Sequence, residues 1–289
     1  MAILSALLVQ SARTDDKNQG NAESSALEEV VVKATKLLDK PTLQHIARTF
    51  TRSHATPNPR TGQISHWEIT LCPVTRGLPP QYAEYVTHRI VAVAKEAGAP
   101  SSAASNCNVN VQILFTREPQ KELDRIAKIA PAMLGYPHGS LKELAMVRFP
   151  VQAWYVTGTA AVPGTHFVQL DSQFSGAVFG PPSHLEDVVS QIGYELVAVD
   201  ESKISDYSLD AIADYIAMLV LTRTAQNGCN VFPSIIDLFS PDCASSERPQ
   251  ALTDADKTFL KALYGARFGM TLNIEQNQIT QQLVHAFGR

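Results

Sequence analysis

The sequence is short of most features that would announce a function. The apolar run at its start, Ala2-Ile3-Leu4-Ser5-Ala6-Leu7-Leu8-Val9, is well below the ~20 residues that span a bilayer. Charged residues make up 18% of the 289, and Lys+Arg 24 against Asp+Glu 28 leaves a net charge of −4. That balance excludes a strongly basic nucleic-acid binder. No C-x-x-C pair occurs among the four cysteines, so the close spacing that zinc and redox motifs use is missing. The eight histidines, at 45, 54, 66, 88, 138, 166, 184 and 285, never stand four apart, so there is no H-E-x-x-H helix. G-x-S-x-G, S-x-x-K, P-loop and G-x-G-x-x-G patterns are absent too. No metal site and no cofactor is expected.

What remains is the composition of a folded domain. Hydrophobic residues reach 45%, enough to bury a sizeable core and to exclude a disordered chain. Residues 1–12 read as a signal peptide without its basic n-region, with small residues Ser11 and Ala12 where cleavage would fall. Residues 13–40 read as a flexible N-terminal arm. It is polar up to about residue 26 and carries one short strand, Glu28-Glu29-Val30-Val31-Val32. Residues 41–289 show no repeat and no sharp composition break, and read as a single α+β domain.

The cysteines support export to an oxidising compartment, periplasm or cell envelope. Four cysteines allow three connectivities. Pairing by nearness in sequence joins Cys72 to Cys107 and Cys229 to Cys243, each bond contributing roughly 3–4 kcal/mol. The second closes a loop rich in Asn, Pro and Ser. The first conflicts with another reading. If residues 66–72 and 108–115 are parallel neighbours joined by a helix, Cys72 and Cys107 fall at opposite sheet ends, beyond disulfide reach.

Periodicity sets the element order. A helix is expected from about Pro41, then a strand at 66–72. A second helix follows Pro79-Pro80, with Tyr82, Val86, Ile90, Val93 and Ala97 on one face and Gly98 as its stop. Residues 108–115 form a strand and 119–134 a helix, and Ser140-Leu141-Lys142-Glu143 is a capping box. Residues 151–157 and 165–170 make a hairpin around Pro163-Gly164, and 194–199 another strand. A helix from about Leu209 is apolar on nearly all sides and belongs inside a domain. Thr253 and Asn273 open the last two helices. The fold class is α+β, a mixed sheet with several helices.

The chemistry-bearing residues are few. Asp200, Glu201, Asp206, Asp210 and Asp214 gather around one strand-to-helix connection. Asp210 suits the helix dipole. Asp214 lies within the apolar helix and needs a partner such as Arg or a tyrosine hydroxyl. Trp67, Trp154 and the tyrosines at 82, 85, 155, 207 and 215 are expected in the core, and His88 at the surface.

Several segments carry resemblances. Cys72-Pro73 with Gly77-Leu78-Pro79-Pro80, Cys107 with Asn110-Val111, Leu209-Asp210-Ala211-Ile212-Ala213-Asp214-Tyr215-Ile216-Ala217-Met218, and Leu252-Thr253-Asp254-Ala255-Asp256 with Leu260-Lys261-Ala262-Leu263-Tyr264 resemble an uncharacterised family of exported alphaproteobacterial proteins. That resemblance implies no active site. The element order resembles a zincin, the metalloprotease fold, whose central helix carries zinc-binding histidines. The matching stretch here, Ala213-Asp214-Tyr215-Ile216-Ala217, has alanines where ligands would stand, which implies a zincin-like fold without its metal site. Glu29, Val30, Val31 and Val32 resemble the short strand (the TonB box) with which outer-membrane transporters engage their energising partner by strand addition.

Two functions follow as expectations. The first is an exported, non-catalytic domain that binds another envelope protein. The second is a hydrolase using dispersed His and Asp residues, with Asp214, Asp210 and Asp200 as its acids.

Overall fold

The computed structural model describes residues 39–59, 61–135, 140–161, 188–226, 228–266 and 271–288. The expected signal peptide, the arm up to residue 38 with Glu29, Val30, Val31 and Val32, and the expected strand at 165–170 lie outside the described residues.

The chain enters through helix α1 (Lys40–His54), whose N-cap Asp39 accepts the Thr42 N–H. Strand β1 (Pro73–Arg76), helix α2 (Pro80–Ala97) and strand β2 (Val111–Thr116) then make a parallel crossover unit. Helix α3 (Pro119–Ile129), a 3₁₀ turn (Pro131–Leu134) and short helix α4 (Leu141–Leu144) lead to the long antiparallel pair β3 (Val151–Ala161) and β4 (Val188–Asp200). Helix α5 (Leu209–Leu221) follows, then 3₁₀ turns, α6 (Asp254–Gly265) and α7 (Leu272–Phe287). The four strands stand in the order β1-β2-β4-β3, with β4 parallel to β2 and β3 at one edge. The α+β class is therefore observed.

Alternation along β4 divides the core. Val197 and Val199 face a large cluster with Val86, Ile90, Ala213, Ile216 and Phe259. Leu196 and Ala198 face the opposite side, with Trp154, Leu123, Ile126 and Leu134. Every residue of α5 from Ala211 to Leu221 is buried, as its all-round apolarity demands. Each aliphatic side chain so enclosed contributes roughly 1.5–3 kcal/mol. The helix behind the Pro79-Pro80 pair buries Val86, Ile90, Val93 and Ala97. It stops at Gly98, whose positive φ of 88° returns the N–H to the last turn.

Both cysteine pairs are joined, Cys72 to Cys107 and Cys229 to Cys243. Two disulfides are the signature of a chain that folds in an oxidising environment. No helix among the described residues is long and apolar enough to cross a membrane.

The expected conflict over Cys72 dissolves because the first strand starts at Pro73, later than its strand-like residues 66–72 suggest. Residues 66–72 are not a ladder strand. Trp67 Nε1 donates to the Val220 carbonyl at 2.6 Å, and Leu71 exchanges bonds with Pro100 and Ser102. Their hydrogen bonds thus go to other partners, and β1 begins at Pro73. Cys72 therefore precedes β1 as Cys107 precedes β2. Parallel neighbours start at the same sheet end, and the two Cα atoms lie 5.9 Å apart. The crossover and the disulfide hold together.

Two smaller corrections have similar causes. The last helix starts after Thr271, whose side chain makes no capping bond, and not after Asn273. Glu275 is fully buried and holds the Ile64 N–H at 3.0 Å, so it ties two segments together. Tyr82 and Tyr85, expected in the core, are exposed on α2.

Candidate functional site

The predicted acids do not converge. Asp214 is buried under α2, where Arg89 grips it with two bonds, Nε to Oδ1 at 2.6 Å and Nη2 to Oδ2 at 3.1 Å. The Leu252 N–H adds a third at 2.9 Å. This carboxylate has the arginine partner its burial requires. The guanidinium is in turn held above its ordinary range, first by that hydrogen bond. Asp210 stands one turn earlier, exposed, and accepts the Tyr85 hydroxyl at 2.5 Å. That bond pushes the Tyr85 phenol up to about 12. Asp200 is elsewhere, closing its own turn. It accepts the Ser202 N–H at 3.1 Å and the Ser202 hydroxyl at 2.5 Å, with Lys203 Nζ at 3.3 Å. Burial pushes the Asp200 carboxyl upward, but these donors outweigh it and hold it below its usual range. Each acid already has structural partners. Among the described residues, no group of three or more His, Cys, Asp or Glu side chains is placed to hold a metal ion.

A Ser–His–Asp cluster that sequence spacing could not reveal sits in the core. His54 Nε2 lies 2.8 Å from Ser234 Oγ, and that hydroxyl donates to Asp256 Oδ1 at 2.6 Å. The order differs from a catalytic triad, in which the imidazole stands between the hydroxyl and the carboxylate. Burial drives His54 down to about 4 and Asp256 up to about 6. All three are sealed from solvent. The cluster fastens α1 to the start of α6.

Glu195, like Glu275 and Asp237, is a buried acid that sequence reasoning missed. It lies on β4, paired with Val111 on one side and Tyr155 on the other. It is fully buried, and neither carboxylate oxygen has a hydrogen-bond partner among the described residues. Burial alone pushes its carboxyl well above the ordinary range. The only sequence signal was one acid within the apolar run at 194–199.

Two clefts stand out among the described residues, one of about 680 Å³ between α6 and α7 and one of about 280 Å³ beside β3. The walls of the cleft beside β3 come from three distant stretches: Thr56 to Pro59, Ala153 to Thr157, and Arg223 to Gln226. Leu134 and Leu144 close one side. The second of these walls is the edge strand β3, on which Gly135 packs against the Tyr155 carbonyl. Asp200 N–H bonds the Pro150 carbonyl, so even-numbered residues of β3 face β4 up to Val156. The backbone groups of Ala153 and Tyr155 therefore point away from β4. At Thr157 the register passes a bulge opposite Gly193. There Ile192 sends its N–H to His66, and the outward alternation is kept.

The opposite wall is held with the same economy. Thr56 N–H bonds the Arg223 carbonyl at 2.9 Å, and Ala225 N–H bonds the Ser53 carbonyl at 2.8 Å. That two-residue spacing leaves Thr224, between them, turned the other way. Gln226 Nε2 crosses to the Val151 carbonyl at 2.7 Å and closes one end. Behind the wall, the last carbonyls of α5 would be orphans at a buried helix end. Three aromatic side chains satisfy them: Tyr155 bonds Leu219, Trp67 bonds Val220, and Tyr264 bonds Leu221. The cleft is thus framed by strand β3, the residues after α1 and those after α5. Two buried hydroxyls in its lining, Thr56 Oγ1 and Thr224 Oγ1, have no partner among the described residues.

The arrangement offers backbone donors and acceptors, two hydroxyls and a floor that is polar and apolar in nearly equal parts. It offers no exposed acid–base pair, since Arg223 is the one charged residue in the described lining. No family model, no curated protein and no solved structure matches this chain.

Proposed function

We propose that this chain is an exported, non-catalytic domain of the cell envelope that binds an extended segment of another protein by strand addition in the cleft beside β3. The observation that carries the reading is the edge strand β3, whose outward Ala153 backbone groups and Tyr155 N–H lie beside a walled cleft, while Gly135 covers the Tyr155 carbonyl. An extended peptide bonds such an edge through its own backbone, and pockets beside it select side chains. The two disulfides favour the periplasm as the compartment.

A zincin-like fold without its metal site agrees with this reading. α5 carries no histidine, and its two carboxylates are bonded to Tyr85 and Arg89. The hydrolase alternative needs a His or Ser within reach of Asp214. Arg89 and the Leu252 N–H take those positions.

The test uses peptides selected from a displayed library on the full chain. Ala153→Pro removes an outward N–H but no bond to β4, since proline is tolerated at sheet edges. Selected peptides should lose at least tenfold in affinity for this variant while its thermal midpoint stays within a few degrees of the parent. Peptides that bind both proteins equally overturn the reading.

A further inference from the structure

We propose that the buried junction of α1 and α6 is a clasp completed by a proton, which Asp256 takes up in mild acid so that every contact from Asp256 through Ser234 and His54 to the Phe50 carbonyl holds a hydrogen. The clasp stands apart from the cleft and does not depend on it. Three contacts make the chain. Asp256 Oδ1 lies 2.6 Å from Ser234 Oγ, Ser234 Oγ lies 2.8 Å from His54 Nε2, and His54 Nδ1 lies 2.9 Å from the Phe50 carbonyl. With the carboxyl ionised and the ring neutral, two hydrogens serve them, one on the hydroxyl and one on the ring. With the ring hydrogen on Nε2, a bare Nδ1 faces the Phe50 carbonyl. Ser53 Oγ also lies 2.8 Å from Nδ1, but its hydroxyl donates to that same carbonyl at 2.9 Å. With the ring hydrogen on Nδ1, Nε2 and the carboxylate compete for the one hydroxyl hydrogen. A proton on Asp256 closes the chain. Its O–H donates to Ser234, the Ser234 hydroxyl donates to Nε2, and Nδ1–H donates to Phe50. Asp256 Oδ2 keeps the Ile235 and Thr253 N–H groups, at 2.8 and 3.0 Å.

The surroundings place that proton on the carboxyl and not on the ring. His54 is stacked on Phe50 at 3.8 Å and flanked by Phe259 at 5.6 Å. Burial opposes charge on both partners, so the ring is driven down to about 4 and the carboxyl up to about 6. Few other titratable or charged groups face the clasp. The 3₁₀ turn at 235–239 brings Asp237, held by Asn230 Nδ2 at 2.6 Å and pushed up to about 6 by burial as well. α5 brings Tyr215, whose phenol senses Asp237. On α6, Lys257 and Asp254 turn to each other at 3.8 Å, and on α1 Arg52 is exposed. α7 contributes Phe287, which packs on Phe232. A folded value above the ordinary 3.8 means that the stability Asp256 adds is fully present below 3.8 and is lost as the pH rises through 6. His54 acts in the opposite sense, and Asp256→Asn separates the two.

Carboxyl-carbon and imidazole-nitrogen NMR of the full chain test the clasp. Asp256 should titrate near 6, and at pH 5 the His54 hydrogen should sit on Nδ1 with Nε2 bare. An Asp256 midpoint near 4, or a hydrogen on Nε2 at pH 5, overturns the proposal. Asp256→Asn gives a second readout, because its amide nitrogen donates to Ser234 at any pH. The unfolding equilibrium constant of the parent relative to this variant should fall about tenfold between pH 7.5 and pH 5. A ratio independent of pH overturns the clasp and leaves Asp256 a plain helix cap. If the variant does not fold, the two NMR readings on the parent decide.

Discussion

Replacing Glu195 by Gln should make the protein more stable at neutral pH and leave it unchanged in relative terms in acid. Burial raises the Glu195 carboxyl well above its ordinary value of 4.5. The folded chain therefore keeps a proton that the unfolded chain releases. Stability from this group is fully present below about pH 4.5 and is lost as the pH rises toward the folded value. Each pH unit in that window costs about 1.4 kcal/mol. If the group stays protonated to pH 7, the loss there is about 3 kcal/mol, a large share of the 5–15 kcal/mol that stabilises an ordinary domain. Glutamine cannot ionise, so the variant escapes the loss. Urea unfolding of both proteins between pH 4.5 and 8 measures it. The stability gap should widen as the pH rises from 4.5, by at most about 1.4 kcal/mol per unit and only while the folded carboxyl keeps its proton. A gap that stays flat, or a parent that gains over the variant toward pH 7, would refute the reasoning, because it would mean an ionised Glu195 with a partner.

Other expectations follow from the same structure. Asp214→Asn should cost about 2–3 kcal/mol in chemical unfolding, since it breaks the two-bonded contact with Arg89; the low end reflects the half-exposed guanidinium. An unchanged midpoint would mean the ion pair contributes nothing net. His54 acts opposite in sign to Glu195. Its neutral form is stabilised by burial, so stability present above pH 6.5 is lost as the pH falls toward about 4. Its ring resonances should titrate near 4; a midpoint near 6.5 would contradict its sealed position. In denaturant the chain should show no free thiol before reductant and four after it. Any thiol before reduction would remove an argument for export.

Much of the scaffold was legible in the residues, for physical reasons specific to each element. The helix after Pro79-Pro80 declared itself by a one-faced apolar period and by Gly98, where a positive φ ends the helix. α5 declared itself by being apolar on every side. Strand β1 did not, because it is four residues long and starts with proline, while the more strand-like stretch before it spends its bonds on Val220 and Pro100. That one misplacement created the false conflict over Cys72. Of the expected acids, Asp214 was correctly seen to need a partner, but nothing in the local sequence pointed to Arg89, 125 positions away. The cleft was not legible at all. Its walls are backbone edges from three remote stretches, and a backbone edge has no residue signature.

The claim on which the account turns is that the cleft beside β3 is the place where this chain takes up a strand. An NMR map of amide shifts in the full chain, titrated with a library-selected peptide, tests it most directly. The account predicts the largest changes at Ala153, Tyr155 and Thr224, with little at Tyr85, Asp210 or Arg89. Changes centred on the α2–α5 face, with Ala153 and Thr224 silent, would contradict it.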